Sequence, residues 1–195
     1  MKDWIGNGNS IYKTLGASNH VEAEREENDY YATEPKAIEM LLQHEKFNKW
    51  IWECACGKKH LSDVLVKHNY IVKNSDIINR CNNVVFDFLS SKNTYWDGDI
   101  ITNPPYKYAT EFVYKALDII PNNRKVAMFM KLLFCEGKER KKLFEEHPPR
   151  TIYVFSSRIK CAKNGDFESI KSSAVCYAWF VWVKGYKGET TIKWL

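Results

Sequence analysis

The sequence predicts an α/β fold: a mostly parallel, seven-stranded sheet with helices on both faces and an antiparallel strand at one edge. Short apolar segments alternate with amphipathic segments of helical period between residues 33 and 147, a pattern typical of parallel sheets. Two later apolar segments, 150–157 and 174–185, have no full helical segment between them, which favours an antiparallel edge strand. The length of 195 residues suits one domain with a sizeable core.

The individual elements follow from periodicity and from chain-breaking residues. The first helix begins near Thr33, a candidate N-cap, and has Pro35 in its first turn. The predicted helices carry apolar residues three or four apart: 33–47, 59–69, 107–120 and 137–147. The seven predicted strands are short and apolar: 49–57, 70–76, 83–89, 98–106, 125–134, 150–157 and 174–185. A last short segment, 190–195, is a further candidate strand.

Residues 1–29 have an irregular pattern and are interpreted as an N-terminal arm. The remainder, 30–195, is expected to form a single domain without a large target-recognition domain. The six cysteines form no CxxC pair and no spacing typical of zinc ligands, so no metal site is predicted. Reduced thiols, the lack of a signal peptide and the lack of about 18 consecutive apolar residues predict a cytoplasmic protein that does not cross a membrane.

Charge is unevenly distributed along the chain. Residues 1–100 carry 12 Lys/Arg and 15 Asp/Glu, whereas residues 101–195 carry 17 and 9. A basic C-terminal half indicates a polyanionic partner, although many solvated surfaces are also basic.

Acidic side chains stand at the ends of the first three predicted strands. In parallel sheets, ligands bind beyond the carboxyl ends of the strands. Glu53 lies at the tip of the first strand, and Gly57 after it allows close approach of the backbone to a ligand. Asp76 ends the second strand and is placed to accept the hydroxyls of a ribose. Asp87 and Phe88 in the third segment offer a carboxylate and a ring to an adenine.

The fourth strand runs into Asn103-Pro104-Pro105-Tyr106. Two prolines fix φ, favour extended geometry in the preceding residues and donate no N–H, so the loop presents rigid carbonyl acceptors. The Asn103 side chain adds an acceptor and Tyr106 adds a stacking face. This arrangement suits a planar NH2 group, whose two hydrogens are taken by two acceptors while the ring supports the plane.

These motifs resemble the S-adenosylmethionine-dependent amino-methyltransferases, in particular small phage- and prophage-encoded DNA adenine-N6 methyltransferases. "NPPY" at 103–106 matches their catalytic motif, "ECACG" at 53–57 is similar to their first motif, and "YYATEP" at 30–35 is similar to their upstream segment. The likeness covers roughly residues 17–195. It implies a Rossmann-like class I methyltransferase fold, S-adenosylmethionine as cofactor, and DNA with a flipped-out adenine as partner, in a bacterial or phage-infected cell.

The resemblance also implies roles for particular residues. The upstream segment holds the methionine part of the cofactor, the first motif lines its sugar and methionine, Asp76 binds the ribose hydroxyls, and Asp87 with Phe88 binds the adenine. The implied cofactor-binding residues are Tyr30, Tyr31, Thr33, Glu53, Ala55, Gly57, Asp76, Asp87, Phe88 and Asn103.

The implied catalytic residues are those of the NPPY motif. Asn103 and the carbonyl of Pro104 bind the target amine, Pro105 completes the rigid loop, and Tyr106 stacks on the target base. Basic residues of the C-terminal half are the candidate contacts to the nucleic-acid backbone. They are Lys131, Lys138, Arg140, Lys141, Arg158, Lys160 and Lys163. The segment 156–173 is the best candidate for a target-facing loop, and because it is short, specificity is expected to be loose or supplied by a second subunit or partner.

Two departures from the family pattern keep alternatives open. Cys54 replaces a usual proline, and Lys59 stands where a second glycine is common, so its side chain is expected to crowd the cofactor or to reach its carboxylate. Lys59 favours a catalytically inactive methyltransferase-fold binding protein as one alternative interpretation. An adenine methyltransferase acting on RNA is another, because NPPY enzymes also methylate adenines in structured RNA. A release-factor glutamine methyltransferase ranks lower, because only about 50 residues precede the first motif.

Overall fold

A computed structural model describes residues 31–92, 94–163, 167 and 175–195. The predicted N-terminal arm and Tyr30 lie outside the described residues. The helices are α1 (Pro35–His44), α2 (His60–Lys67), α3 (Ala109–Ile119) and α4 (Lys138–Glu146). The strands are β1 (Tyr31–Thr33), β2 (Trp50–Glu53), β3 (Ile71–Asp76), β4 (Val84–Val85), β5 (Asp99–Thr102), β6 (Lys125–Lys131), β7 (Thr151–Val154), β8 (Cys161–Lys163), β9 (Tyr177–Val183) and β10 (Thr191–Trp194).

The main sheet is mostly parallel, which confirms the predicted class. Its strand order is β10-β7-β9-β6-β5-β2-β3-β4. Strand β2 pairs in parallel with both β3 and β5, and β5 pairs in parallel with β6. Among the described residues, only β9 runs antiparallel to its neighbours in this sheet.

Two details of the sheet differ from the prediction. The sheet has eight strands rather than seven, and the antiparallel strand β9 lies between β6 and β7 rather than at the edge. The sequence YAWFVWV of β9 is buried at six of its seven positions, as befits an interior strand. Strand β10 is exposed at all four positions and forms the edge beyond β7.

The core has two parts, one on each face of the sheet. Alternate residues of β6 divide between them: Met128 and Met130 face the side covered by α3 and α4, whereas Ala127 and Phe129 face the side covered by α1 and α2. The helices therefore cover both faces, as predicted. Within the described residues, no helix is both long and apolar enough to cross a membrane.

A second, two-stranded sheet was not predicted. Strand β1 pairs antiparallel with β8, so that Thr33 lies opposite Cys161. Thr33 consequently does not cap α1. The N-cap is Glu34, which makes no side-chain capping hydrogen bond and accepts the Lys160 N–H at its carboxylate instead. The residue before Pro35 is held extended, which explains why the helix begins later than the sequence predicted.

Candidate active site

A cavity of about 780 Å³ opens at the carboxyl ends of β2, β3 and β5. Its wall contains most of the residues predicted from the strand ends and from the NPPY motif: Thr33, Glu53, Ala55, Asp76, Asp87, Phe88, Asn103, Pro104, Pro105 and Tyr106. The structure thus brings together segments separated by up to 70 residues. The side chain of Tyr31 lies outside the described residues, and its backbone pairs with that of Lys163.

The loop after β2 is tied to the end of β3. Gly57 adopts a left-handed φ of 50°, which favours glycine, and its N–H donates to Asp76 Oδ2 at 2.8 Å. The Cys56 N–H donates to the Ser75 carbonyl at 3.0 Å. Gly57 therefore shapes the cavity through Asp76.

Glu53 is a buried carboxyl in the cavity wall. It is 2% exposed and accepts a hydrogen bond from the Ser62 hydroxyl. Burial raises the pKa of Glu53 to about 8, and the nearby charge of Asp76 acts in the same direction. A bound cation would favour the ionised form of this group.

Asp76 already has several donors around it. Besides the Gly57 N–H, it accepts from the Ile78 N–H at 3.1 Å and from the Arg80 guanidinium at 3.1 Å, both at Oδ1. Arg80 also lines the cavity. The carboxylate is thus rigidly placed, and Arg80 balances its charge.

Asp87 and Phe88 differ in exposure. Asp87 is exposed and accepts the backbone N–H groups of Leu89 and Ser90; hydrogen bonding with Ser90 is the main reason that its pKa is lowered. Phe88 is a core residue, 2% exposed, stacked on Phe112 and edge-on to Trp52. Its ring is fixed in place and still contributes to the cavity wall.

The amide of Asn103 is held by the small sheet. Asn103 Nδ2 donates to Thr33 Oγ1 at 2.9 Å and lies 4.0 Å from Cys161 Sγ. Thr33 is 2% exposed. Because its NH2 group is directed to this pair, the amide carbonyl is the end of the Asn103 side chain that has acceptor character.

Tyr106 begins the 3-10 turn Tyr106–Tyr108 that leads into α3. Pro105 before it has φ −56° and ψ 119°, the extended geometry expected of the Pro-Pro pair. The Tyr106 hydroxyl lies 3.6 Å from Cys161 Sγ, and Lys131 Nζ lies 5.1 Å from the ring centre. A cation over the ring is a favourable contact, and it ties Lys131 to a side chain of the cavity wall.

The two departures from the family pattern have different consequences. Lys59 is the N-cap of α2 and has a left-handed φ of 66°, the conformation that glycine adopts most easily. Its Nζ is directed to the Asn82 carbonyl, 3.4 Å away, and Lys59 is not among the described residues of the cavity wall. The expected crowding is therefore absent from this arrangement. Cys54 is buried in the wall, and burial raises the pKa of its thiol, so it is inert.

The predicted basic contacts form a mixed group. Lys131 lies against the Tyr106 ring, and Arg158 is exposed. Lys141 makes an i,i+4 ion pair with Glu145. Lys160 Nζ donates to the Phe167 carbonyl at 2.8 Å. Lys138 and Arg140 lie on α4, the side chain of Lys163 lies outside the described residues, and so does most of the 164–173 part of the predicted target-facing loop.

Sequence reasoning missed three residues of this site. His60, the first residue of α2, lines the cavity, and its Nε2 is buried without a hydrogen-bond partner among the described residues. Arg80 contacts Asp76, and Cys161 contacts the NPPY loop. The motif spacing gave no signal for Cys161, because its position depends on the β1–β8 pairing.

Comparisons with known proteins identify the fold. No family model matches the chain, and no curated protein matches it. A candidate class I S-adenosylmethionine-dependent methyltransferase from Listeria monocytogenes is similar with TM-score 0.60 and 13% identity, over 95% of this chain and 71% of that one. A protein from Agrobacterium tumefaciens described as an O-methyltransferase has TM-score 0.57 and 11% identity, over 83% and 85%. The 23S rRNA methyltransferase ErmE has TM-score 0.52 and 15% identity, over 79% and 68%. The chain therefore has the Rossmann-like fold of class I methyltransferases.

We expect Glu53 to give the protein a pH-dependent stability. In the folded state the carboxyl keeps its proton up to about pH 8, whereas in the unfolded chain it ionises near 4.5, so folding takes up a proton between these values. The contribution of Glu53 to the free energy of unfolding therefore decreases as pH rises through this window. The free energy of unfolding of Glu53→Gln should therefore increase relative to that of the wild type as pH rises. Urea unfolding of both proteins from pH 4.5 to 8.5 measures this difference. A difference between the two proteins that stays constant with pH would contradict the assignment.

Proposed function

We propose that the protein transfers a methyl group from S-adenosylmethionine to the N6 amine of adenine in DNA. The observation that carries the proposal is the position of the NPPY loop: it ends β5 at the mouth of a cavity whose wall contains Glu53, Asp76 and Asp87. The methyltransferase fold supports methyl transfer as the reaction class, and the NPPY motif supports an amine as the methyl acceptor.

The cavity fits S-adenosylmethionine in size and chemistry. Its volume of about 780 Å³ is in the range of sites for ligands of this size. The cofactor carries positive charge at its sulfonium and ammonium groups, and three carboxyl groups line the wall. His60 Nε2, buried and unpartnered among the described residues, offers a further polar contact, and burial lowers the pKa of this imidazole. We assign the cofactor to Glu53, Ala55, Asp76, Asp87 and Phe88, with Tyr30, Tyr31 and Gly57 as supporting positions, whereas Thr33 is assigned to the Asn103 amide that it contacts.

When bound, S-adenosylmethionine supplies an electrophilic methyl group. The Asn103 side-chain carbonyl and the Pro104 carbonyl accept the two hydrogens of the target amine, which frees the nitrogen lone pair for attack. Transfer of the methyl group to this nitrogen would leave the cofactor sulfur as a neutral thioether, and the extra proton on nitrogen would pass to water. The fixed carbonyl dipoles stabilise the positive charge that develops on the amine. Tyr106 stacks on the base and holds it in line.

The NPPY motif and the basic C-terminal half of the chain support DNA as the substrate. An adenine in a duplex has to be flipped out to reach such a cavity, at a cost of a few kcal/mol. Stacking on Tyr106 and contacts of Lys131 and Arg158 with phosphates offset part of this cost. RNA methylation and a binding role without catalysis are the outcomes against which the assignment is tested.

Methyl transfer to several substrates tests the proposal directly. Tritiated S-adenosylmethionine is incubated with unmethylated duplex DNA, single-stranded DNA, RNA and protein, with wild type, Asn103→Ala and Tyr106→Ala. We expect label as N6-methyladenine in DNA, reduced on the order of 10²-fold or more in Asn103→Ala because an acceptor for the amine is lost. Tyr95→Ala, at an exposed tyrosine that is not part of the cavity wall, is the matched control for Tyr106→Ala. Label only in RNA or protein would change the substrate, and no label at all would reject the enzyme.

The Thr33–Asn103 hydrogen bond makes a separate prediction. If Thr33 positions the Asn103 amide, Thr33→Val should lower kcat by roughly 10- to 100-fold while the Kd for S-adenosylmethionine stays the same, because the amide loses its orientation. Thr33→Ser keeps the hydroxyl and should retain activity. A weaker cofactor Kd with unchanged kcat would instead support the cofactor contact that the family resemblance implies for this residue.

A further inference from the structure

A short 3-10 turn, Leu132–Cys135, joins β6 to α4 and presents one apolar side chain to solvent. Leu133 is 62% exposed, whereas Leu132 before it packs against the core and Phe134 after it is buried. A single exposed leucine is common on protein surfaces, so a functional role for Leu133 depends on its position and surroundings.

The turn is held rigidly from both sides. The Leu132 N–H donates to the Cys176 carbonyl at 2.8 Å, and the Glu136 N–H donates to the Leu133 carbonyl at 3.0 Å. The Arg140 guanidinium lies 5.3 Å from the centre of the Phe134 ring and donates to the Glu136 carbonyl. Leu133 is thus displayed on a fixed support, which lowers the entropy cost of inserting it into a partner.

The turn directly follows a residue that contacts the NPPY loop. Lys131, at the end of β6, has its Nζ 5.1 Å from the centre of the Tyr106 ring. Leu133 follows two residues later, so its Cα lies within about 8 Å of the Cα of Lys131. Because β5 and β6 are parallel, the turn that carries Leu133 begins at the same edge of the sheet as the NPPY loop.

The surroundings of Leu133 are basic. Lys131 directly precedes the turn, and the Arg140 guanidinium lies against the Phe134 ring within it. Arg158, exposed on the neighbouring segment, adds to this charge. An apolar side chain surrounded by cations is complementary to a duplex, in which the stacked bases are apolar and the flanking phosphates are anionic.

We propose that Leu133 inserts into the base stack of duplex DNA, next to the adenine that enters the cavity, and fills the space that the flipped base leaves. This inference rests on the proposed function and adds that the substrate is the duplex form. Side chains that enter the stack in this way stabilise the unstacked step, so they assist flipping in a duplex and contribute little on a single strand, where no stack has to be opened.

The test compares methylation rates on one unmethylated plasmid DNA, as duplex and after heat denaturation, at equal concentration. Leu133→Ala should lower the duplex rate by about tenfold or more and leave the single-strand rate within about twofold of wild type. Leu133→Met keeps the apolar bulk and should restore most of the duplex rate. Ile192→Ala, at a 53% exposed apolar residue on the edge strand β10, is the matched control and should change neither rate.

The outcomes separate the two proposals. Equal losses on both DNA forms, or no loss on either, would reject insertion by Leu133 while leaving the methyltransferase function intact. A wild type that methylates only single strands would reject the duplex assignment. A wild type that methylates neither form would overturn the proposed function together with this inference.

Discussion

The site depends on the parallel pairing of β2 with both β3 and β5. Parallel neighbours end at the same edge of a sheet, so this pairing places Glu53, Asp76 and Asn103 around one opening although 50 residues separate the first from the last. The strand pairing is stabilised by burial on both faces: β5 is buried at all four positions, and Ile51 and Trp52 of β2 are fully covered. Glu53 and Asp76 are the last residues of their strands, and Asn103 follows β5 directly. The buried strands therefore fix the backbone of all three residues.

The small β1–β8 sheet supplies the second constraint. It brings Thr33, from before the first helix, and Cys161, from after β7, to the same Asn103 amide. Both partners lie more than 50 residues from Asn103 in the chain. The acceptor group of the proposed reaction is therefore oriented by segments that belong to neither the cofactor loop nor the NPPY loop. Cys161, which also lies next to the Tyr106 hydroxyl, couples the two main residues of that loop.

The strand-end residues could be predicted from the sequence because they follow a local rule. Glu53 and Asp76 each end an apolar segment, and the Pro-Pro pair fixes its own backbone. Non-local features escaped prediction. Thr33 has the sequence context of an N-cap, and only its pairing with Cys161 makes it a partner of Asn103. The place of β9 between β6 and β7 depends on a register that no short segment encodes. Phe88 was expected to bind an adenine. Its packing against Trp52 and Phe112 could not be predicted from its neighbours in the chain.

Lys59 illustrates how structure decides a question that sequence leaves open. A lysine in a glycine position suggests an obstructed site, yet its side chain is directed to the Asn82 carbonyl. The remaining cost is the left-handed backbone, of the order of 1 kcal/mol, and it affects the stability of the fold rather than access to the cavity. An active cofactor site is therefore compatible with this substitution.

Cofactor binding tests the central claim most directly. Calorimetric titration of the wild type with S-adenosylmethionine should give one site per chain. The Asp87→Ala variant should bind about tenfold more weakly, because an exposed carboxylate of the cavity wall is lost, whereas Asp118→Ala, outside that wall, should bind like the wild type. Absence of binding by the folded wild type would contradict the account, because every proposed role of the site residues depends on this cofactor.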